Sequence, residues 1–244
     1  MEKLRESSAV SLIAVFAAFN VVCDSLVGPL PDISSVWYSW IFIAEPISGI
    51  ILGSYAGFFS TFIGVMVGHS LYIRHSAEFL FTLGAPVGAM ISALIFRGKW
   101  KITLVYYVSL LGAFFATPVS WQLPFWGMWD VYLAFACLLV AVVVTNKWKG
   151  FRNTQLAGVR LLCIVALCTF IGLEADVLFR IFILVPCQTY HIIYALDVST
   201  LQLWWAAGAV ETSIKAALST SISVMVTPSI LKAVRKFGFA FSKD

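Results

Sequence analysis

Charge is what this chain has least of. Asp, Glu, Lys and Arg together make up 11% of its 244 residues, against about 25% in soluble domains. A fold so poor in charge cannot clothe itself for water, so a soluble globular domain is the first class excluded. Catalytic and nucleotide signatures are missing too. No His-Glu-x-x-His zinc motif, no Gly-x-Ser-x-Gly elbow and no phosphate-binding loop occurs, which counts against an intramembrane enzyme. Paired acidic clusters able to hold Mg²⁺ for isoprenoid chemistry are also lacking. Any active transport must therefore draw its energy from a partner. The five cysteines (Cys23, Cys137, Cys163, Cys168 and Cys187) form no Cys-x-x-Cys pair, and no His stands at metal-finger spacing. Four of them sit inside apolar stretches, where a thiol behaves as a small hydrophobe. No metal site and no cofactor is expected.

What the chain has instead is hydrophobic length. It is 61% hydrophobic with mean hydropathy +0.94, and it carries 20 Phe and 9 Trp. Apolar stretches run at about 8–27, 36–53, 55–73, 77–97, 102–121, 128–146, 157–185 and 202–232. Each approaches the ~20 residues that a helix needs to cross the hydrocarbon. The pattern predicts an all-α, polytopic transmembrane helical bundle forming a single domain, 1–244. The stretch from Ser8 to Val27 is about membrane-spanning length and lacks a tidy small-x-small cleavage site, so it reads as a retained helix rather than a secretory signal. Six spans plus two hydrophobic hairpins that do not cross would keep the same charge pattern, so six to eight spans are expected. Residues 187–201, after Pro186, read as a loop, a re-entrant piece or an interfacial helix.

An even number of spans puts both termini on one side. Lys3 and Arg5, then Arg97, Lys99 and Lys101, then Lys147, Lys149 and Arg152, then Lys232, Arg235, Lys236 and Lys243 all fall there. By the positive-inside rule that side is cytoplasmic, which predicts a multi-pass protein of the cell membrane. The opposite loops carry Arg74 with Asp32, Asp130 and Asp197. The surplus of Lys+Arg 16 over Asp+Glu 12 is thus read as topology and contact with anionic lipid, not nucleic-acid binding. Trp37, Tyr38, Trp40, Trp121, Trp126, Trp129, Tyr190, Tyr194, Trp204 and Trp205 map to the outer boundary as an aromatic belt. The run Trp121-Gln122-Leu123-Pro124-Phe125-Trp126 is dense enough to cap an outward-facing cavity.

An ionisable group at membrane depth is expensive and faces a cavity or a partner. Asp24, His69, Glu78, Glu174, Asp176, Arg180 and Glu211 all fall in the outer half, with Glu45 and Lys215 nearer the middle. Asp176 and Arg180 are four apart, as are Glu211 and Lys215, so each couple can form an intrahelical ion pair. Two readings stay open. The pairs either neutralise themselves in a packed bundle, as in a scaffold subunit that binds no solute, or they line a vestibule. In the vestibule a ligand carboxylate would go to Arg180 or Lys215 and an amine to Glu174 or Glu211. Pro46, directly after Glu45, is expected to break its helix and free backbone carbonyls for a polar ligand. His69 reads as a bridging polar group ahead of a metal ligand, despite His75 and Glu78 nearby. Lys215, one turn after Glu211, also has the spacing of a retinal Schiff-base lysine. An eighth span and the lack of an acid–arginine cluster in the third count against that.

Small residues recur at four-residue spacing: Gly49, Gly53 and Gly57, Gly64 and Gly68, Gly84 and Gly88, and Ala14 and Ala18 with Ala17 beside them. Such strips let helix backbones approach closely. Ala14-Val-Phe-Ala-Ala18 resembles the Ala-x-x-x-Ala motif of S components, the substrate-binding subunits of energy-coupling factor (ECF) vitamin transporters. Glu45-Pro46-Ile-Ser-Gly49-Ile-Ile-Leu-Gly53-Ser-Tyr-Ala-Gly57, then Gly64-Val-Met-Val-Gly68-His69, are similar as well. So are Gly84-Ala-Pro86-Val-Gly88, ending in Arg97-Gly-Lys99, and the long final helix from Glu211 to Lys232 with Pro228 near its end. The likeness covers about the first 100 and the last 80 residues. The chain departs from the family's six helices by an apparent inserted hairpin at about 102–146.

The resemblance implies a prokaryotic substrate-binding subunit that is not itself an enzyme. It would capture a small, water-soluble, vitamin-like micronutrient from outside for ATP-driven uptake. Its partners would be a transmembrane coupling subunit, lying against Ala14 and Ala18, and two ATPase subunits. Asp24, His69, Glu78, Trp121, Glu174, Asp176, Arg180, Glu211 and Lys215 are the candidate substrate contacts.

Overall fold

The computed structural model describes residues 2–26, 39–71, 78–147 and 158–236. They form ten α-helices and no strand: α1 Glu2–Ser25, α2 Ile41–Leu52, α3 Ser54–Leu71, α4 Glu78–Thr82, α5 Gly84–Phe96, α6 Trp100–Ala116, α7 Trp129–Lys147, α8 Val159–Leu184, α9 Thr189–Ile192 and α10 Val198–Lys236. Each apolar stretch of the sequence contains a helix. Four helical segments among the described residues are long and apolar enough to cross a membrane: Glu78–Phe96, Phe125–Val143, Val159–Leu184 and Val198–Val234. Val10–Ser25, Ile41–Leu52 and Trp100–Ala116 are apolar but shorter. The 12 residues of α2 rise only ~18 Å. Asp32, Trp37, Tyr38, Arg74, His75, Lys149, Arg152 and Lys243 lie outside the described residues.

At the centre α2, α5 and α8 pack on one another, with α3 and α10 against them and α1 lying along α3. The α6–α7 hairpin packs on another side of α8, and the tyrosines of α6 fasten it there. Adjacent on the helix, they donate to successive turns of α8: Tyr106 Oη to the Ala175 carbonyl and Tyr107 Oη to the Ile171 carbonyl, each at 2.7 Å. Outward faces stay apolar, with Val15 and Val22 on α1, Val105 and Val108 on α6, and Ile214 and Met225 on α10 exposed. Apolar surface on the outside suits lipid as the solvent.

Glycine sets two of the close approaches. At the α2–α3 turn Gly53 has φ +95°, and the Arg97 guanidinium of the α5–α6 turn lies where its Cβ would be. A side chain would be strained by that backbone and would collide as well. The contact also brings both turns to one end of the bundle. At the other end the Trp40 N–H donates to the Cys23 carbonyl at 2.9 Å, joining the start of α2 to the last turns of α1.

Pro46 does not break α2, which corrects the expectation drawn from it. A proline removes the N–H that the carbonyl four residues earlier would use. That carbonyl belongs to Phe42, and the Ser219 hydroxyl of α10 donates to it at 2.5 Å. The freed acceptor is satisfied inside the bundle, so none is left over at Pro46 for a ligand.

Residues 187–201 resolve into the single turn α9 and a capped start for α10. Asp197 is the cap. Its carbonyl accepts from Leu201 N–H at 3.0 Å, its Oδ1 from Thr200 N–H at 3.0 Å and its Oδ2 from the Ser199 hydroxyl at 2.5 Å. Those hydrogen bonds, Ser199's foremost, hold its carboxyl down to about 2. A depressed folded value means that the cap's contribution is present above the unfolded pKa and is lost as pH falls through about 2. Asp197→Ala is therefore expected to speed amide exchange across residues 198–201 at neutral pH. Wild type should reach the same state only in strong acid. Exchange that is unchanged at neutral pH would contradict the capping role.

Candidate functional site

One end of the bundle holds a cavity of about 270 Å³. The last turn of α3 contributes His69, and α4 contributes Glu78, Phe81 and Thr82. The start of α2 supplies Ile41 and Phe42, preceded by Ser39, and the start of α7 supplies Asp130, preceded by Gly127. From α8 come Leu173, Asp176, Val177, Arg180, Ile181 and Leu184. Their spacing of three and four residues is one helical face. From α10 come Trp204, Trp205, Gly208, Glu211, Thr212 and Lys215, again one face, with Tyr194 ahead of it.

Two ion pairs stand in this wall. Arg180 grips Asp176 with both ends of its fork, Nε to Oδ1 at 2.7 Å and one terminal nitrogen to Oδ2 at 2.8 Å. Lys215 Nζ meets Glu211 Oε1 at 2.5 Å. Asp176 fits because Gly84 faces it: a Cβ there would fall 1.8 Å from Asp176 Oδ1. A third group is relayed across helices. His69 Nδ1 lies 2.6 Å from Asp24 Oδ2, and its Nε2 lies 2.5 Å from Thr82 Oγ1. An ionised carboxylate only accepts, so Nδ1 is the donor toward Asp24. Deeper along α1, Asn20 is buried among Ser48, Ser60 and Thr61.

Asp130 is 2% exposed. Its Oδ1 accepts the Val131 N–H at 2.9 Å. Its Oδ2 accepts from the Thr212 hydroxyl and lies 3.3 Å from Ser213 Oγ. Glu45 and Glu174 are fully buried, and neither has a hydrogen-bond partner among the described residues. An aromatic train closes one side of the cavity. Phe81 lies 6.0 Å from Tyr194, and Tyr194 lies 5.9 Å from Trp204, ring centre to ring centre. Burial, and after it the Glu78 charge, hold the Tyr194 hydroxyl above its ordinary range, so it is a neutral donor at working pH.

Six of the nine residues expected to contact substrate meet here: His69, Glu78, Asp176, Arg180, Glu211 and Lys215. Asp24 stands behind the wall, off the lining, and meets it at His69. Glu174 lies inside the bundle, off the lining. Trp121 is 75% exposed, with its indole N–H on the Phe115 carbonyl, and lines a separate cleft with Phe115, Phe125 and Tyr132. The loop that carries it is latched to α10, by Gln202 Nε2 on the Gln122 carbonyl at 2.6 Å and by the Trp205 indole on the Pro124 carbonyl at 3.0 Å.

The sequence reading passed over Asp130, Tyr194, Trp204, Trp205, Thr82 and Thr212 as site residues. It took Asp130 for a loop acid and the rings for a belt. A usable signal was present on α10, where Trp205, Gly208, Thr212 and Lys215 share a face with Glu211. No group of three or more His, Cys, Asp or Glu able to hold a metal ion occurs among the described residues. No protein-family model matches the chain, and no curated protein or solved structure matches it.

Proposed function

We propose that this chain is the solute-capturing membrane subunit of an ECF-type transporter, taking a small, water-soluble, vitamin-like molecule from outside a prokaryotic cell. The observation that carries the reading is the cavity: a hollow of about 270 Å³ at one end of an apolar bundle, walled by two ion pairs, a histidine relay and several aromatic rings. A pocket of that kind, apolar with a few convergent polar groups, suits a small polar solute. Intramembrane ionisable groups around a hollow suit a solute path better than mere neutralisation.

The cavity lies at the end where α3 and α8 finish and α10 starts. Arg97, Lys99 and Lys101 sit at the turn on the far side of α5. By the positive-inside rule the cavity then opens outward and both termini are cytoplasmic, with six to eight crossings of the membrane. Having no nucleotide-binding loop, the subunit takes its energy from two ATPase subunits through a transmembrane coupling subunit. Ala14 and Ala18 are exposed on α1 while Phe16, Ala17 and Asn20 turn inward, which leaves the small-residue strip free to dock on that partner. The α6–α7 hairpin is this chain's own addition.

Arg180→Ala and Glu211→Ala are each expected to change binding of the solute that co-purifies with wild type by at least ten-fold, read by calorimetry in detergent. Each change abandons a charged partner, so helicity must be checked alongside. Wild-type affinity in both variants would take both pairs out of the site.

A further inference from the structure

We infer that the captured solute is a cation, an amine or ring-borne quaternary nitrogen on a compact planar body, with Asp130 as its anchor. The inference rests on the capture reading and adds the sign of the ligand's charge. Asp176 and Arg180 satisfy each other through two hydrogen bonds, and Glu211 and Lys215 through one. These pairs contribute both signs in equal number. Besides these pairs the lining carries His69, Glu78 and Asp130. Asp130 lines the cavity, is 2% exposed, and is held only by hydroxyls and a backbone N–H. Among the described residues no Lys, Arg or His lies within 4.0 Å of Asp130.

On α10, Trp205 lies seven residues before Thr212, the hydroxyl partner of Asp130, and both line the cavity. Ring faces attract positive charge, and the attraction grows where water is excluded. A cationic solute supplies the charge that Asp130 lacks, whereas an anion meets Asp130 and must first prise open an existing pair.

The test titrates purified protein in detergent with benzyltrimethylammonium, phenylacetate and benzyl alcohol, followed by calorimetry and tryptophan fluorescence. The cation is expected to bind at least ten-fold more tightly than either of the others. D130N should weaken it by at least ten-fold, and D130E should restore it. Equal or tighter binding of phenylacetate overturns the inference, as does wild-type cation affinity in D130N or no binding of the cation at all. Should D130N fail to fold, the ranking of the three probes on wild type decides. The sign of the natural solute separates the two claims. A neutral or anionic molecule that co-purifies with wild type and not with G208L overturns the cation assignment while leaving capture intact. Absence of any co-purifying molecule removes capture itself.

Discussion

Gly208→Leu is expected to abolish solute binding, by at least a hundred-fold in affinity, while the bundle keeps its fold. Gly208 lines the cavity, and a Cβ built on it meets no atom within 4 Å. A leucine there grows into the space the solute needs without pushing a neighbouring helix. Replacing glycine inside a helix also favours the folded state by up to ~1 kcal/mol, so thermal stability should hold or rise. The contrast is Gly84, whose Cβ would land 1.8 Å from Asp176 Oδ1. Gly84→Leu should unfold or misassemble the protein. Loss of binding with a melting temperature at or above wild type marks Gly208→Leu as a plug. Unchanged affinity would mean that solute does not enter this hollow.

The double variant Ala14→Trp with Ala18→Trp is expected to abolish association with the proposed coupling subunit and leave solute binding untouched. Both residues are exposed on α1, one turn apart. The inward face of the same helix is committed to α3 through Phe16, Ala17 and Asn20. Two indoles on the outer face therefore cost the bundle little, yet they hold a partner helix beyond the close approach that alanines allow. Co-purification of the complex after co-expression reads the result. Intact complex in the double variant would remove this strip from the interface.

Much of the architecture was legible because helices in an apolar solvent must be continuous apolar segments. Every such stretch contains a helix, and the four-residue spacing of Asp176–Arg180 and Glu211–Lys215 produced the ion pairs that it predicted. The glycine repeats likewise mark helix crossings. An added Cβ on Gly49 would fall 1.9 Å from the Ala89 carbonyl oxygen of α5. What the pattern could not supply was the tertiary partner. Pro46 announced a missing donor, but the Ser219 hydroxyl that meets the Phe42 carbonyl stands 177 residues away.

The aromatic residues were ambiguous for a different reason. A belt and a cavity wall at the outer boundary both call for amphipathic rings at one depth, and only the helical face tells them apart. Trp204 and Trp205 share the face of Glu211 and Lys215 and line the cavity, whereas Trp121 sits on a 3₁₀ turn and stands exposed. Asp130 was placed among the loops because α7 begins only one residue before it, and its hydroxyl partners come from α10.

Mass spectrometry of the small molecules released on denaturing wild type and Gly208→Leu, purified side by side, tests solute capture most directly. One compound, near one per protein chain in wild type and missing from the variant, is the expected result. No enriched compound, or the same compound in equal amount from both, would contradict it.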